Sequence, residues 1–101
     1  MKFSFAHFNF NVLDLERSLK FYKEALGLEP VRTKEAADGS FTLVYLGDKE
    51  TGFQLELTYL RDRKEPYNLG ELEYHLALET DDMEAAHALH EKLGVICYEN
   101  P

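Results

Sequence analysis

Residues 7–28, HFNFNVLDLERSLKFYKEALGL, contain a strand pattern that leads directly into a helix pattern. From His7 to Val12 polar and apolar residues alternate, as they do in a strand with one polar and one apolar face. Apolar residues then recur at helical spacing, with Asp14 at the N-cap position and Gly27 at the C-terminal stop. The segment therefore predicts a strand followed immediately by an amphipathic helix.

The residues after this helix predict three more strands. The first begins at Pro30 and ends before a turn at 38–39, which has the Asp-Gly sequence typical of hairpins. Alternating residues predict two further strands, at 41–45 and 52–60. Residues 1–60 are therefore predicted to form a strand–helix–strand–strand–strand unit, abbreviated βαβββ.

A second, shorter copy of this pattern follows a charged, turn-rich linker at 61–73. His75 lies 68 positions after His7 in another alternating segment, and the helix pattern after it ends in the same Leu-Gly pair. Self-similarity of this kind indicates a repeated structural unit. We therefore predict one domain over residues 1–101. Its second unit, 74–101, is expected to be incomplete, with its last strands lying beyond the final residue.

The composition favours a packed globular domain and argues against several classes of partner. The 101 residues are 45% hydrophobic and carry a formal net charge of −8, whereas nucleic acids and anionic membranes attract basic surfaces. No apolar run approaches the roughly 20 residues of a membrane span, and the N-terminus lacks a signal-peptide pattern. The one cysteine, Cys97, cannot form an internal disulfide. It lies in a short apolar segment, 95–98, that is predicted as a strand, and we expect it to be a buried, inert thiol. These features predict a cytoplasmic protein without nucleic-acid or membrane partners.

Three side chains with metal-binding chemistry, His7, Glu56 and His75, fall on the polar faces of predicted strands. Taken singly, such a residue is more often exposed or hydrogen-bonded than a ligand. Together, two imidazole nitrogens and a carboxylate form a donor set that suits a divalent metal ion. His87 and His90 are also spaced so that they could chelate a metal, but they lack a nearby third ligand and are interpreted as a solvated helix face.

Several longer motifs extend over nearly the whole chain. They are His7 with Asn11-Val12-Leu13-Asp14-Leu15, then Ser18, Phe21-Tyr22 and Leu26-Gly27, then Glu56-Leu57-Thr58-Tyr59, Tyr67-Asn68-Leu69-Gly70 and Tyr74-His75-Leu76-Ala77-Leu78. These motifs resemble those of glyoxalase I, in the vicinal oxygen chelate superfamily. The resemblance implies an α+β fold of paired βαβββ units around a cleft, and a homodimer with two-fold symmetry. It also implies that His7, Glu56 and His75 are three of four metal ligands. The fourth, a glutamate, has no counterpart before Pro101.

The same resemblance implies an activity. Glyoxalase I isomerises the hemithioacetal of methylglyoxal and a thiol to a 2-hydroxyacyl thioester, which is a lyase reaction that detoxifies methylglyoxal. A divalent ion, with nickel or cobalt favoured over zinc, holds two adjacent substrate oxygens and stabilises the charge that develops as the C1 proton leaves. On this scheme Glu56 is both ligand and proton acceptor, while His7 and His75 only bind the metal.

Two residues depart from the family pattern where it contacts glutathione. Asn11 stands in place of an arginine, and Leu60 in place of the asparagine that follows Glu-Leu-Thr-Tyr. A neutral amide cannot form the bidentate pair that arginine makes with a carboxylate. The thiol carrier is therefore open: another small thiol, or a looser mode of binding glutathione that uses Arg17, Arg61 or Arg63.

Two alternative functions fit the same superfamily. One is a non-catalytic module that sequesters a ligand, and the other is a metal-dependent enzyme that acts on a different 2-oxo or epoxide substrate. Binding modules usually lack the ligand set, so His7, Glu56 and His75 favour an enzyme. Asn11 and Leu60 keep the choice of substrate open.

Overall fold

A computed structural model describes residues 1–98 of the chain, which separates into two compact units with the division after Tyr67. This division falls inside the segment 61–73, for which the sequence predicts a linker. The final residues of the predicted second unit, 99–101, lie outside the described part of the chain. No helix within residues 1–98 is both long and apolar enough to cross a lipid bilayer.

The first unit contains one helix and one four-stranded sheet. Its elements are β1 His7–Val12, α1 Leu15–Leu26, β2 Glu29–Glu35, β3 Phe41–Gly47 and β4 Gln54–Leu60. The strands lie in the order β1-β4-β3-β2, with β1 parallel to β4 and the other neighbours antiparallel. The predicted α+β class is therefore confirmed.

Helix α1 begins and ends at the residues that the sequence predicts. The Asp14 carboxylate accepts a hydrogen bond of 3.1 Å from the backbone N–H of Arg17, which satisfies one of the free amides at the helix start. Gly27 follows the helix in the left-handed conformation, with φ of 67°, and its N–H donates to the carbonyl of Lys23.

The core lies between α1 and one face of the sheet. It is built from the buried residues Leu28, Val44, Leu46, Leu55 and Leu57, against which Phe10, Val12, Leu15, Leu19, Tyr22 and Leu26 pack. Because strand side chains alternate between the two faces, the residues that intervene, such as Tyr45 and Glu56, lie on the opposite face. We call this opposite face the polar face of the sheet.

A β-bulge interrupts the pairing of β2 with β3. The register shifts between Pro30 and Arg32, which leaves Val31 as the extra residue. The bulge packs against Gly47, because a Cβ atom added to that glycine would lie 2.9 Å from Val31 Cγ1. Glycine at position 47 therefore leaves the space that the bulged side chain occupies.

Gly47→Ala is expected to lower the free energy of unfolding by about 1–3 kcal/mol, because the new methyl group overlaps the stiff, β-branched side chain of Val31. Denaturant unfolding measures the change. The double variant Gly47→Ala/Val31→Ala removes the overlap and should recover most of the loss. A single variant as stable as the wild type would show that this contact does not constrain the bulge.

The second unit contains helix α2, Met83–Lys92. The spacing of Asp81 to Glu84 predicts Asp81 as its N-cap, but Asp82 occupies that position and accepts a 2.9 Å hydrogen bond from the N–H of Ala85. The helix therefore begins one residue later than the spacing predicts.

Two segments that the sequence predicts as strands, the alternating segment 74–78 and the apolar segment 95–98, are not strands in the structure. A strand is defined by its hydrogen-bonded neighbour, and within residues 68–98 neither segment has one. The expectation that Cys97 is buried is also wrong, since its side chain is exposed. The prediction placed Cys97 inside a packed strand, and its segment forms no strand.

Candidate metal and substrate site

The polar face of the sheet brings His7 and Glu56 together. They come from the neighbouring strands β1 and β4, and His7 Nε2 lies 3.8 Å from Glu56 Oε1. The imidazole is accessible, with 42% of the side chain exposed, whereas the glutamate side chain is only 11% exposed. The pair therefore presents one nitrogen and one oxygen donor side by side, with the nitrogen on the open side.

Burial makes Glu56 unusual among the acidic residues. Among residues 1–98, Glu56 is the one charged residue that is buried, with 8% of its surface exposed. A carboxylate taken out of water is costly unless hydrogen-bond donors or a cation compensate for its charge. The surroundings of Glu56 are therefore expected to supply such compensation.

Tyr45 supplies one hydrogen-bond donor. It lies directly opposite Glu56 on strand β3, and a hydrogen bond to the Glu56 carboxylate, together with burial, raises the pKa of the Tyr45 hydroxyl. The nearby Arg32 acts in the other direction and lowers the same pKa, but the net shift is upward. The Glu56 carboxylate therefore has a larger effect on the pKa of the phenol than Arg32 has.

Asn9 ties the two strands of the site together. Its side-chain Nδ2 donates to the backbone carbonyl of Glu56 at 3.2 Å and to Thr58 Oγ1 at 2.7 Å. Because β1 and β4 are parallel, such a bridge adds to the ladder between them. The bridge holds the His7 strand against the Glu56 strand at the level of the site.

His75, the third predicted ligand, belongs to the second unit, where it is exposed on a segment without strand pairing. Across residues 1–98 no three His, Cys, Asp or Glu side chains lie close enough together to hold a metal ion. The structure thus brings together His7 and Glu56, and the ligand role of His75 stays a prediction. His87 is exposed on α2, in keeping with a solvated helix face.

Comparison with known proteins places these observations in a family. The family model of the Glyoxalase/Bleomycin resistance protein/Dioxygenase superfamily matches residues 4–95. The chain belongs to this superfamily. The resemblance to glyoxalase I inferred from the motifs is confirmed.

Several similar proteins are named lactoylglutathione lyase. The chain is 41% identical over 78 residues to the lactoylglutathione lyase of Neisseria meningitidis, a match that covers 75% of this chain and 56% of the relative. It is 38% identical over 81 residues to the lactoylglutathione lyase of Haemophilus influenzae, covering 78% and 59%. The chain thus spans somewhat over half the length of these relatives. The solved structure of the trypanothione-dependent glyoxalase I of Leishmania major matches with a TM-score of 0.85 and 33% identity, covering 99% of this chain and 73% of that one.

The arginines suggested as substitutes for the missing glutathione contact are partly engaged elsewhere. Arg61 donates to the carbonyl of Asp38 at 2.9 Å and pairs with the neighbouring Asp62. Arg63 donates to two backbone carbonyls, and its guanidinium carbon lies 4.4 Å from the centre of the Tyr67 ring. These two side chains therefore stabilise their own loop.

Tyr45 and Arg32 also lie at the candidate site, although the sequence pattern did not indicate them. The alternation of Phe41, Leu43 and Tyr45 indicates an apolar strand face, yet the helix side of β3 is formed by the intervening Val44 and Leu46. When both faces of a strand carry large residues, alternation alone does not tell which face is buried against the helix. A tyrosine among aliphatic residues was the available signal, because its hydroxyl needs a partner when buried.

Proposed function

We propose that the protein is a metal-dependent, lactoylglutathione lyase-like enzyme. It would isomerise the hemithioacetal of a 2-oxoaldehyde such as methylglyoxal and a small thiol to a 2-hydroxyacyl thioester. The observation that supports this most is the His7–Glu56 pair on the polar face, in which a buried carboxylate lies 3.8 Å from an accessible imidazole nitrogen. The relatives named lactoylglutathione lyase support the same reaction class.

The donor atoms fit a divalent metal ion. Metal–ligand bonds of about 2.0–2.2 Å are usual for imidazole nitrogen and carboxylate oxygen, so two donors 3.8 Å apart can contact one ion. His7 and Glu56 would hold it together with His75 and a further carboxylate that is not identified. A bound ion would supply Lewis-acid stabilisation of the charge that develops on the substrate oxygens. We favour nickel or cobalt, with zinc as the other candidate.

Glu56 would carry the proton transfer. In the isomerisation the hydrogen on C1 moves to C2 and the hydroxyl proton moves to the oxygen on C2, so no atom is gained or lost. The Glu56 carboxylate would take the C1 proton and return it to C2. For this general acid–base catalysis the carboxylate must lie within hydrogen-bond reach of the substrate. Its burial on the polar face would keep water from competing for that proton.

We propose that the thiol carrier is a small thiol, which assays with several thiols would identify. The relatives' names refer to glutathione, whereas the Leishmania major enzyme is described as trypanothione-dependent. Asn11, on strand β1, provides a neutral amide where the family has an arginine. We also propose a cytoplasmic homodimer, as the resemblance to glyoxalase I suggests.

Removal and replacement of the metal tests the proposal. Treatment of the whole protein with a chelator should abolish conversion of the methylglyoxal–thiol adduct to its thioester, and nickel or cobalt should restore it better than zinc. The thioester product can be followed by its ultraviolet absorbance with glutathione and with other thiols. A preparation that binds the adduct without turning it over in any metal form would instead support the ligand-sequestering alternative.

A further inference from the structure

A row of four side chains crosses the polar face of the sheet at the level of Glu56. The strand registers align Asn9, Glu56, Tyr45 and Arg32, with one residue from each of the strands β1, β4, β3 and β2. Side chains directly opposite one another on adjacent strands are within contact distance. His7 reaches the same row diagonally from β1, because it contacts both Glu56 and Tyr45.

The β-bulge determines which residue of β2 completes this row. Pro30 pairs with Leu46, so a regular ladder would set Val31 opposite Tyr45. The extra residue in β2 advances the register by one position, and Arg32 takes that place. The bulge therefore exchanges an aliphatic side chain for a cation beside the candidate site.

Tyr45 has a specific contact on each of three sides. Glu56 lies directly opposite on β4, and a hydrogen bond with its carboxylate raises the pKa of the Tyr45 hydroxyl. The Tyr45 ring meets the ring of His7 edge to face, with centroids 5.6 Å apart and an interplanar angle of 83°. The guanidinium carbon of Arg32 lies 3.9 Å from the centre of the same ring. Only 7% of the residue is exposed, although it lies on the polar face.

We propose that Tyr45, held in place by Arg32, is a positioning residue that fixes the donor atoms of Glu56 and His7 for metal binding, an inference that rests on the proposed function. Groups that orient a metal ligand through a hydrogen bond restrict its rotamers before the ion arrives. The phenol hydroxyl does this for the carboxylate oxygen, and the ring edge does it for the imidazole. A phenylalanine at position 45 would keep both ring contacts and lose only the donor.

Arg32 would affect metal binding through its contact with the Tyr45 ring and not through a contact with the metal ligands. A guanidinium group that lies over an aromatic ring is attracted electrostatically to the face of the ring. This attraction limits movement of the Tyr45 ring away from the sheet. Arginine suits this position because its planar group can stack on the ring, which an ammonium group cannot do. We therefore expect Arg32 to have a smaller effect on metal binding than Tyr45.

The affinity for cobalt(II) in the whole protein, measured by competition with a chelator of known affinity, tests this role. Tyr45→Phe is expected to weaken the affinity by about 10–100-fold and to change the visible spectrum of the bound cobalt, as loss of a group that orients a ligand does. Arg32→Met should weaken it by about twofold to fivefold, and Arg32→Lys should recover part of that loss. Tyr59→Phe is the matched control, because Tyr59 lies on the same strand as Glu56 but alternates to the helix side.

The outcomes separate this inference from the proposed function. If Tyr45→Phe binds cobalt as tightly as the wild type while Glu56→Gln does not, the positioning role is overturned and the metal site stands. If the wild type binds no divalent metal, both fail. A change in the thermal stability of metal-free Tyr45→Phe with unchanged affinity would show a purely structural role. Should Tyr45→Phe fail to fold, Arg32→Met keeps the tyrosine and must still weaken the affinity, and unchanged affinity in that variant overturns the inference.

Discussion

Glu56→Gln is expected to lower turnover of the thiol adduct by about 10²–10⁴-fold, the range that loss of a general base costs. The amide cannot accept the C1 proton, and it is a weaker metal ligand than a carboxylate. Metal affinity should therefore fall together with activity, by more than the roughly 10–100-fold that loss of an orienting partner costs. Steady-state kinetics with each metal form and chelator competition measure the two losses separately.

The stability of the metal-free variant distinguishes loss of a ligand from loss of the fold. Replacing a buried charge with a neutral amide of similar shape removes a desolvation cost, so metal-free Glu56→Gln should unfold at no lower temperature than the wild type. Glu29→Gln is the matched control, since that exposed carboxylate forms a 2.8 Å ion pair with Lys49 and should affect neither metal nor turnover. Full metal content and full turnover in Glu56→Gln would contradict the proposed site.

The features of the fold that the sequence predicts correctly are those set by neighbouring residues in the chain, such as the two ends of helix α1. Asp14 caps the start of α1 with its own side chain, and Gly27 ends the helix because glycine readily adopts the left-handed conformation. Neither cap depends on residues that are distant in the sequence. The shared face of His7 and Glu56 follows equally from strand alternation, once their strands exist as neighbours.

Features that depend on a partner across space could not be predicted. The segment around His75 has the alternation of a strand, but pairing requires a neighbour that alternation does not specify. The bulge at Val31 moves Arg32 opposite Tyr45 by a one-residue shift, and no signal in β2 alone indicates that shift. The contacts of Tyr45 therefore emerge only when the sheet is assembled.

The two faces of β4 connect the site with the core. Glu56 lies on the polar face between Leu55 and Leu57, which are both buried against the helix side. A strand fixed on one face by packing holds its other face at a defined depth, because successive residues point in opposite directions. The position of the carboxylate is thus set by the leucines on either side of it.

Leu57→Ala is expected to lower the free energy of unfolding by about 2–5 kcal/mol. Leu57 has no exposed surface and pairs with Phe10 on one neighbouring strand and Val44 on the other, so the truncated side chain leaves a cavity at the centre of the first unit. Denaturant unfolding of the metal-free protein measures the loss. Leu13→Ala provides the control, because Leu13 is 40% exposed and should cost far less.

Added metal gives the same variant a second readout. A ligand that binds only the folded state stabilises it by an amount set by its concentration and dissociation constant. If the site on the polar face survives the cavity, saturating metal should raise the stability of Leu57→Ala by nearly the same free energy as that of the wild type, whereas Glu56→Gln should gain much less. A Leu57→Ala protein that folds but gains nothing from metal would show that the packing of Leu57 is needed to hold Glu56 at its place in the sheet.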